Sequence, residues 1–133
     1  MTIRPESLLD AAQALNRLRP PLVSDEVCAR TMANRMYYAS YHAIREAIRT
    51  HLGDPTFDVT HSNLVDALTN APDEDVRHLG ERLKRLRANR VASDYRLDES
   101  PTRFKVAVHL SDARYVLDNA GRLARRFPHV RGR

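Results

Sequence analysis

Cysteine occurs once in this sequence, at Cys28, and glycine only 4 times in 133 residues. A lone cysteine rules out an intrachain disulfide and a cysteine-based metal cage. The scattered glycines leave no Gly-rich loop that could cradle phosphates. No stretch approaches the roughly 20 uninterrupted apolar residues that a membrane-spanning helix needs. The N-terminus lacks an apolar signal-peptide core, so a cytoplasmic chain with no membrane association is expected. The histidines, His42, His51, His61, His78, His109 and His129, show no His-Glu-x-x-His or comparable spacing. No metal site and no cofactor are therefore expected. Ser, His and acidic residues occur, but no strand-turn-helix context would present a nucleophile. Repeats and strand-like alternation are missing too.

What is present points to helices. At 133 residues with 42% hydrophobic content, the chain has one domain's length and enough apolar material for a core. The net charge of +5 makes an acidic partner plausible. Lysine is confined to Lys84 and Lys105, so nearly all the basic residues are arginine. The planar guanidinium fork suits phosphate and hence RNA, although GC-rich coding is the simpler source of the excess.

A first helix is expected from about Pro5 to Arg17, with Leu8, Leu9, Ala12, Leu15 and Leu18 apolar. Arg19-Pro20-Pro21 ends it. Ser24 then reads as the N-cap of a central helix, with Asp25 and Glu26 in its first turn. This helix runs to about Leu52, where Gly53-Asp54-Pro55 breaks it. Thr60 caps a short helix carrying Leu64, Val65, Ala67 and Leu68. Pro72-Asp73-Glu74-Asp75 starts the next, whose stripe Val76, Leu79, Leu83 and Leu86 extends to Arg90 and Ser93. Arg90 thus points where the next core residue belongs. Ser100-Pro101-Thr102 opens a last long helix, with Phe104, Ala107, Val108, Ser111 and Tyr115 on one face. Leu110, Ala113, Leu117, Ala120 and Ala124 line another. Phe127-Pro128 ends it, and the Arg-rich tail is expected to be loose. The fold class is all-α, an antiparallel bundle of four to five helices.

The central helix organises the rest. Its residues Met32, Met36, Ala39, Ala43, Ile44, Ala47 and Ile48 form a broad apolar arc, with Tyr37 and Tyr41 toward one edge. The opposite stripe holds Asn34, Arg35, Tyr38, His42, Arg45, Glu46 and Arg49. Arg35 and His42 lie about two turns apart on one face, with Tyr38 between them. A histidine near neutrality can move a proton, and a neighbouring arginine can hold a phosphate and its developing charge. Those parts suffice for metal-independent RNA cleavage. A lone histidine on a polar stripe is, equally, often a surface or hydrogen-bonded core group. In a second cluster, Leu86 to Tyr95, Arg90 and Asp94 are one turn apart. Either they form an Arg–Asp–Tyr lock with Tyr95 at the helix end, or they serve a catalytic site. Arg87 and Arg85 would contribute to an electropositive rim.

The stretch Asn34-Arg35-Met36-Tyr37-Tyr38-Ala39-Ser40-Tyr41-His42-Ala43 resembles the Arg-x-Tyr-Tyr-Ala-x-Tyr/Phe-His-Ala signature of the HEPN superfamily. Leu86-Arg87-Ala88-Asn89-Arg90-Val91-Ala92-Ser93-Asp94-Tyr95 resembles the later Leu-Arg-x-x-Arg-x-x-Ala-Asp-Tyr motif of one branch, with Ser93 in place of alanine. Thr60-His61 falls where that branch often has a Ser/Thr-His helix start. The resemblance spans roughly Ala29 to Tyr95 and implies a single HEPN-like helical domain over 1–127, with a basic tail at 128–133.

Many members of that superfamily are metal-independent endoribonucleases in toxin–antitoxin, CRISPR-linked or phage-defence systems. They often dimerise around a cleft and pair with a minimal nucleotidyltransferase; others are non-catalytic. Their activity is associated with an Arg, four to six residues, then His, usually in the later helix. Here no histidine follows Arg90 nearby and position 94 is Asp. Arg35/His42 satisfies the spacing, as do Arg45/His51, Arg103/His109 and Arg122/His129; the first is preferred for its place in the signature. The resemblance thus implies His42 as general acid/base, Arg35 as phosphate ligand and Tyr38 as their orienting group. Arg45, Arg87 and Arg90 would contact RNA, with Asp94 and Tyr95 in support. It also implies a homodimer and an antitoxin of the nucleotidyltransferase type. The alternative is a non-catalytic HEPN module binding a nucleotide or a partner protein, with Arg35, His42, Arg90 and Asp94 as a buried register-fixing network.

Overall fold

The computed structural model describes residues 4–18, 25–95, 103–130 and 132. The fold is an all-α bundle. Among the described residues five α-helices run in chain order: α1 (Pro5–Leu18), α2 (Asp25–Leu52), α3 (His61–Thr69), α4 (Glu74–Tyr95) and α5 (Arg103–Leu123). A short 3-10 turn, Ala124–Arg126, follows α5. The expected cap at Ser24, the prolines after Arg19 and the Ser100-Pro101-Thr102 start lie outside the described residues, as does the Phe104 side chain.

Local chemistry accounts for the boundaries that are described. Proline occupies the first position of α1, where a missing N–H costs nothing. Gly53 ends α2 with φ of 65°, the left-handed conformation that favours glycine. The Thr60 hydroxyl accepts the Asn63 N–H at 3.1 Å to cap α3. Asp73 does the same for α4, accepting the Val76 N–H at 3.1 Å.

Three contacts set the helix directions. Arg30 of α2 donates to the Ser93 carbonyl of α4 at 2.8 Å, so the start of α2 meets the end of α4. Arg126, just past α5, reaches Asp75 at 2.7 Å and Asp73 at 3.3 Å, at the start of α4. Both pairs are therefore antiparallel, and α5 runs parallel to α2. The last turn of α2 and the residues after α5 line one shared cavity at that end.

The core gathers around α2. Met32, Met36, Ala39, Ile44 and Ile48 are buried, as are Tyr37 and Tyr41 toward the edge of the arc. From α4 the stripe Val76, Leu79, Leu83 and Leu86 is fully enclosed, and its extension reaches buried Ser93 and half-buried Arg90. The helix α3 lies so close to α4 that a Cβ on Gly80 would stand 2.7 Å from the Leu68 carbonyl carbon.

Two expectations need correction. On α5, Ala107, Val108 and Ser111 are exposed, whereas Ala113, Val116, Ala120 and Leu123 form the buried stripe. A helix at the corner of a bundle packs against two neighbours, so its remaining apolar residues stay outside. The tail, expected to be loose, folds back: Val130 is buried. A Cβ on Gly132 would lie 3.3 Å from the Asp58 carbonyl oxygen.

Candidate functional site

The signature of α2 builds an aromatic cluster with α3 and α4. Tyr37, Tyr38, Tyr41 and His42 project from successive turns of α2. The His61 ring, at the first residue of α3, stacks on Tyr41 with centroids 4.2 Å apart. It also meets Tyr38 edge-on at 6.1 Å. The Tyr37 hydroxyl and His61 Nδ1 share a short hydrogen bond, and the Tyr41 hydroxyl donates to the Val59 carbonyl at 2.6 Å. Burial pushes the Tyr37 hydroxyl well above the ordinary phenol range, against the opposing charges of Arg87 and Arg90. Tyr37 and Tyr41 are enclosed, which leaves Tyr38 as the half-buried ring at the cluster's surface.

His42 stacks on Tyr38 with centroids 6.1 Å apart and planes inclined by 27°. Its Nδ1 is enclosed without a hydrogen-bond partner. Burial, reinforced by the nearby Arg45, lowers its pKa below the ordinary histidine value, while Glu46 and Asp58 oppose the shift. The imidazole is therefore mainly neutral at pH 7 and able to accept a proton.

Two guanidiniums frame this ring system. Arg90 of α4 lies 5.5 Å from the Tyr38 centroid and 5.7 Å from that of Tyr37, within cation–π range. Its Nε sits 3.6 Å from Asp94 Oδ2 but makes no hydrogen bond. Arg45 lies 5.7 Å over Tyr41, and its Nη1 sits 3.6 Å from Asp58 Oδ1. Its Nε is likewise enclosed and unpartnered. Each guanidinium is thus only loosely engaged by its carboxylate, while the two Nε atoms themselves are enclosed.

Arg35 is exposed. It precedes His42 by about 10 Å of helix rise, and helical side chains tilt toward the N-terminus, away from His42. The cations beside the Tyr38–His42 pair are Arg45 and Arg90 instead. Arg87 is half-buried on the Tyr37 side of α4. Asp94 holds Arg90, as the one-turn spacing predicts. Tyr95 is 74% exposed and takes no part in a lock. Of the other Arg/His spacings, His51 and His129 are exposed, and the Arg103 side chain lies outside the described residues.

His61 is the residue that sequence reasoning undervalued. Its only signal was the Thr60-His61 helix start, which says nothing of its role at the hub of the cluster. A second network was also missed. The nearly buried Asp112 of α5 accepts from Arg85 Nε at 3.1 Å and Nη2 at 2.8 Å. His109 Nδ1 lies 3.8 Å from the same carboxylate, and Arg82 stacks 3.8 Å over Tyr115. Their spacing crosses two helices, so no local motif reveals it.

Among the described residues no group of three or more His, Cys, Asp or Glu could hold a metal ion, and no helix is long and apolar enough to cross a membrane. No protein-family model, no curated protein and no solved structure matches this chain.

Proposed function

We propose that this chain is a HEPN-like, metal-independent endoribonuclease, the cytoplasmic toxin of a toxin–antitoxin or phage-defence pair. The observation that carries the reading is the half-buried, neutral His42, stacked on Tyr38, with Arg45 nearby and Arg90 over the Tyr38 ring. In this reading His42 takes the proton of a ribose 2′-OH as the oxygen attacks the adjacent phosphorus. The new bond is O2′–P and the broken bond is P–O5′. The leaving oxygen regains a proton from an imidazolium or from water, giving a 2′,3′-cyclic phosphate and a 5′-hydroxyl. Arg90 and Arg45 hold the phosphate oxygens and stabilise the added charge. Arg35 contacts RNA further out, and Tyr38 orients His42.

Support for an RNA substrate comes from α4, where Arg82, Lys84, Arg85, Arg87 and Arg90 follow Glu81 with no intervening acid. A homodimer and a nucleotidyltransferase-type antitoxin complete the proposal and rest on the sequence resemblance alone. The second reading is a non-catalytic module binding a nucleotide or a partner. The exposure of Arg35 and the engagement of Arg90 by Asp94 and of Arg45 by Asp58 favour it. Induced expression separates the two. Wild type should arrest growth, and His42→Ala and Arg90→Ala, shown folded by circular dichroism, should not. Harmless expression of all three, each folded, supports the module.

A further inference from the structure

A cleft of about 610 Å³ opens between α2 and α5, on a different side of α2 from the tyrosine cluster. Its size falls within the roughly 300–1,000 Å³ of small-molecule sites. Its floor is apolar and shallow-sided: Ala43, Ala47, Leu117 and Ala120, with Gly121 beside them. Because α2 and α5 run parallel, the basic groups of the lining, His51, Arg122 and Arg125, stand at one end.

Two carboxylates also line the cleft. That of Glu46 is held by Arg49 at 3.2 Å, and Glu6 lies at the start of α1. Arg122 spends one nitrogen on Asn119 at 2.8 Å, while Arg125 is exposed with no ion pair or hydrogen bond among the described residues. Gly121 supplies an independent observation. A Cβ there would meet nothing within 4 Å, so neither packing nor backbone conformation calls for glycine. A glycine inside a helix is unfavourable, and here it leaves to the cleft the space a side chain would take.

We propose that this cleft binds a small amphipathic anion, an acyl carboxylate whose chain lies on the alanine floor and whose head group sits between Arg122 and Arg125. The assignment is independent of the ribonuclease reading. Calorimetric titration of the full chain with decanoate, below its micelle concentration, tests it. Acetate probes the head alone, and decyltrimethylammonium probes the chain with the opposite charge.

The expected result is saturable one-to-one binding of decanoate, with acetate and the ammonium at least tenfold weaker. Arg122→Ala/Arg125→Ala should weaken decanoate at least tenfold. Gly121→Leu, which fills the cleft from a position with open space, should abolish binding without lowering the melting temperature. Ala47→Leu fills it from the other helix should that variant misfold. Any of three results overturns the assignment: no saturable binding by wild type, including the case where a second copy occupies the cleft; equal binding of the ammonium; or undiminished binding by a folded Gly121→Leu or Ala47→Leu.

Discussion

Gly80→Ala is the sharpest test of how the short helix α3 is held. The added Cβ would stand 2.7 Å from both the carbonyl carbon and the Cβ of Leu68, and 2.8 Å from the Thr69 backbone nitrogen. These are mainly backbone atoms of a packed helix, so no side-chain rotation relieves the contact. Overpacking of this kind costs roughly 1–3 kcal/mol, and a clash with backbone that cannot rotate away falls in the upper part of that range, about 2–3 kcal/mol. Alanine's better helix propensity returns about 1 kcal/mol, so the steric cost wins. The net loss should be about 1–2 kcal/mol, which for a domain of this size lowers the melting temperature by roughly 3–10 °C. Urea and thermal unfolding followed by circular dichroism read it directly. Gly121→Ala is the internal control, because its Cβ would meet nothing; it should stabilise by up to about 1 kcal/mol. If Gly80→Ala were as stable as wild type while Gly121→Ala behaved as expected, the tight approach of α3 to α4 would be refuted.

Leu83→Ala, at a fully enclosed position of the α4 stripe, should cost about 2–5 kcal/mol in urea unfolding, and a loss under 1 kcal/mol would count against that stripe being core. Tyr37→Phe removes the hydroxyl bonded to His61 and should cost about 1 kcal/mol, with perturbed His61 ring resonances by NMR. Arg85→Ala leaves the nearly buried Asp112 carboxylate with only the longer contacts to Arg82 and His109, each at 3.8 Å. It should cost about 1–2 kcal/mol, below the value for a fully buried pair because Arg85 is half exposed. His42 and His109 both have folded-state pKa values below the ordinary 6.5, each chiefly through burial. The unfolded chain therefore binds more protons once the pH drops below 6.5, so their contribution is intact above it and fades beneath it. The urea midpoint should fall between about pH 7.5 and about pH 5.5, and His42→Gln should reduce that dependence.

Much of the bundle is legible from periodicity and caps. The α4 stripe, the Thr60 cap and the Gly53 stop are each local, so a single sequence reveals them. The misread face of α5 has a different origin. Ala107 and Val108 are apolar enough for a core, yet whether a neighbour covers them depends on the packing of the whole bundle. The site follows the same division. The Tyr38–His42 stack and the Arg90–Asp94 pair come from one-turn spacings and could be read in advance. The cations beside His42 could not be assigned that way. Seven residues of spacing put Arg35 on His42's face but two turns away, whereas Arg90 arrives from another helix. His61 and the Asp112 network likewise depend on which helices meet, which no spacing along the chain reveals.

The most direct test of the central claim is cleavage of single-stranded RNA by the purified chain with a chelator present. The account predicts fragments ending in a 2′,3′-cyclic phosphate and beginning with a 5′-hydroxyl. Activity should vanish in folded His42→Ala and fall at least tenfold in folded Arg90→Ala. No cleavage by the folded wild type, or cleavage unchanged in both variants, would contradict it.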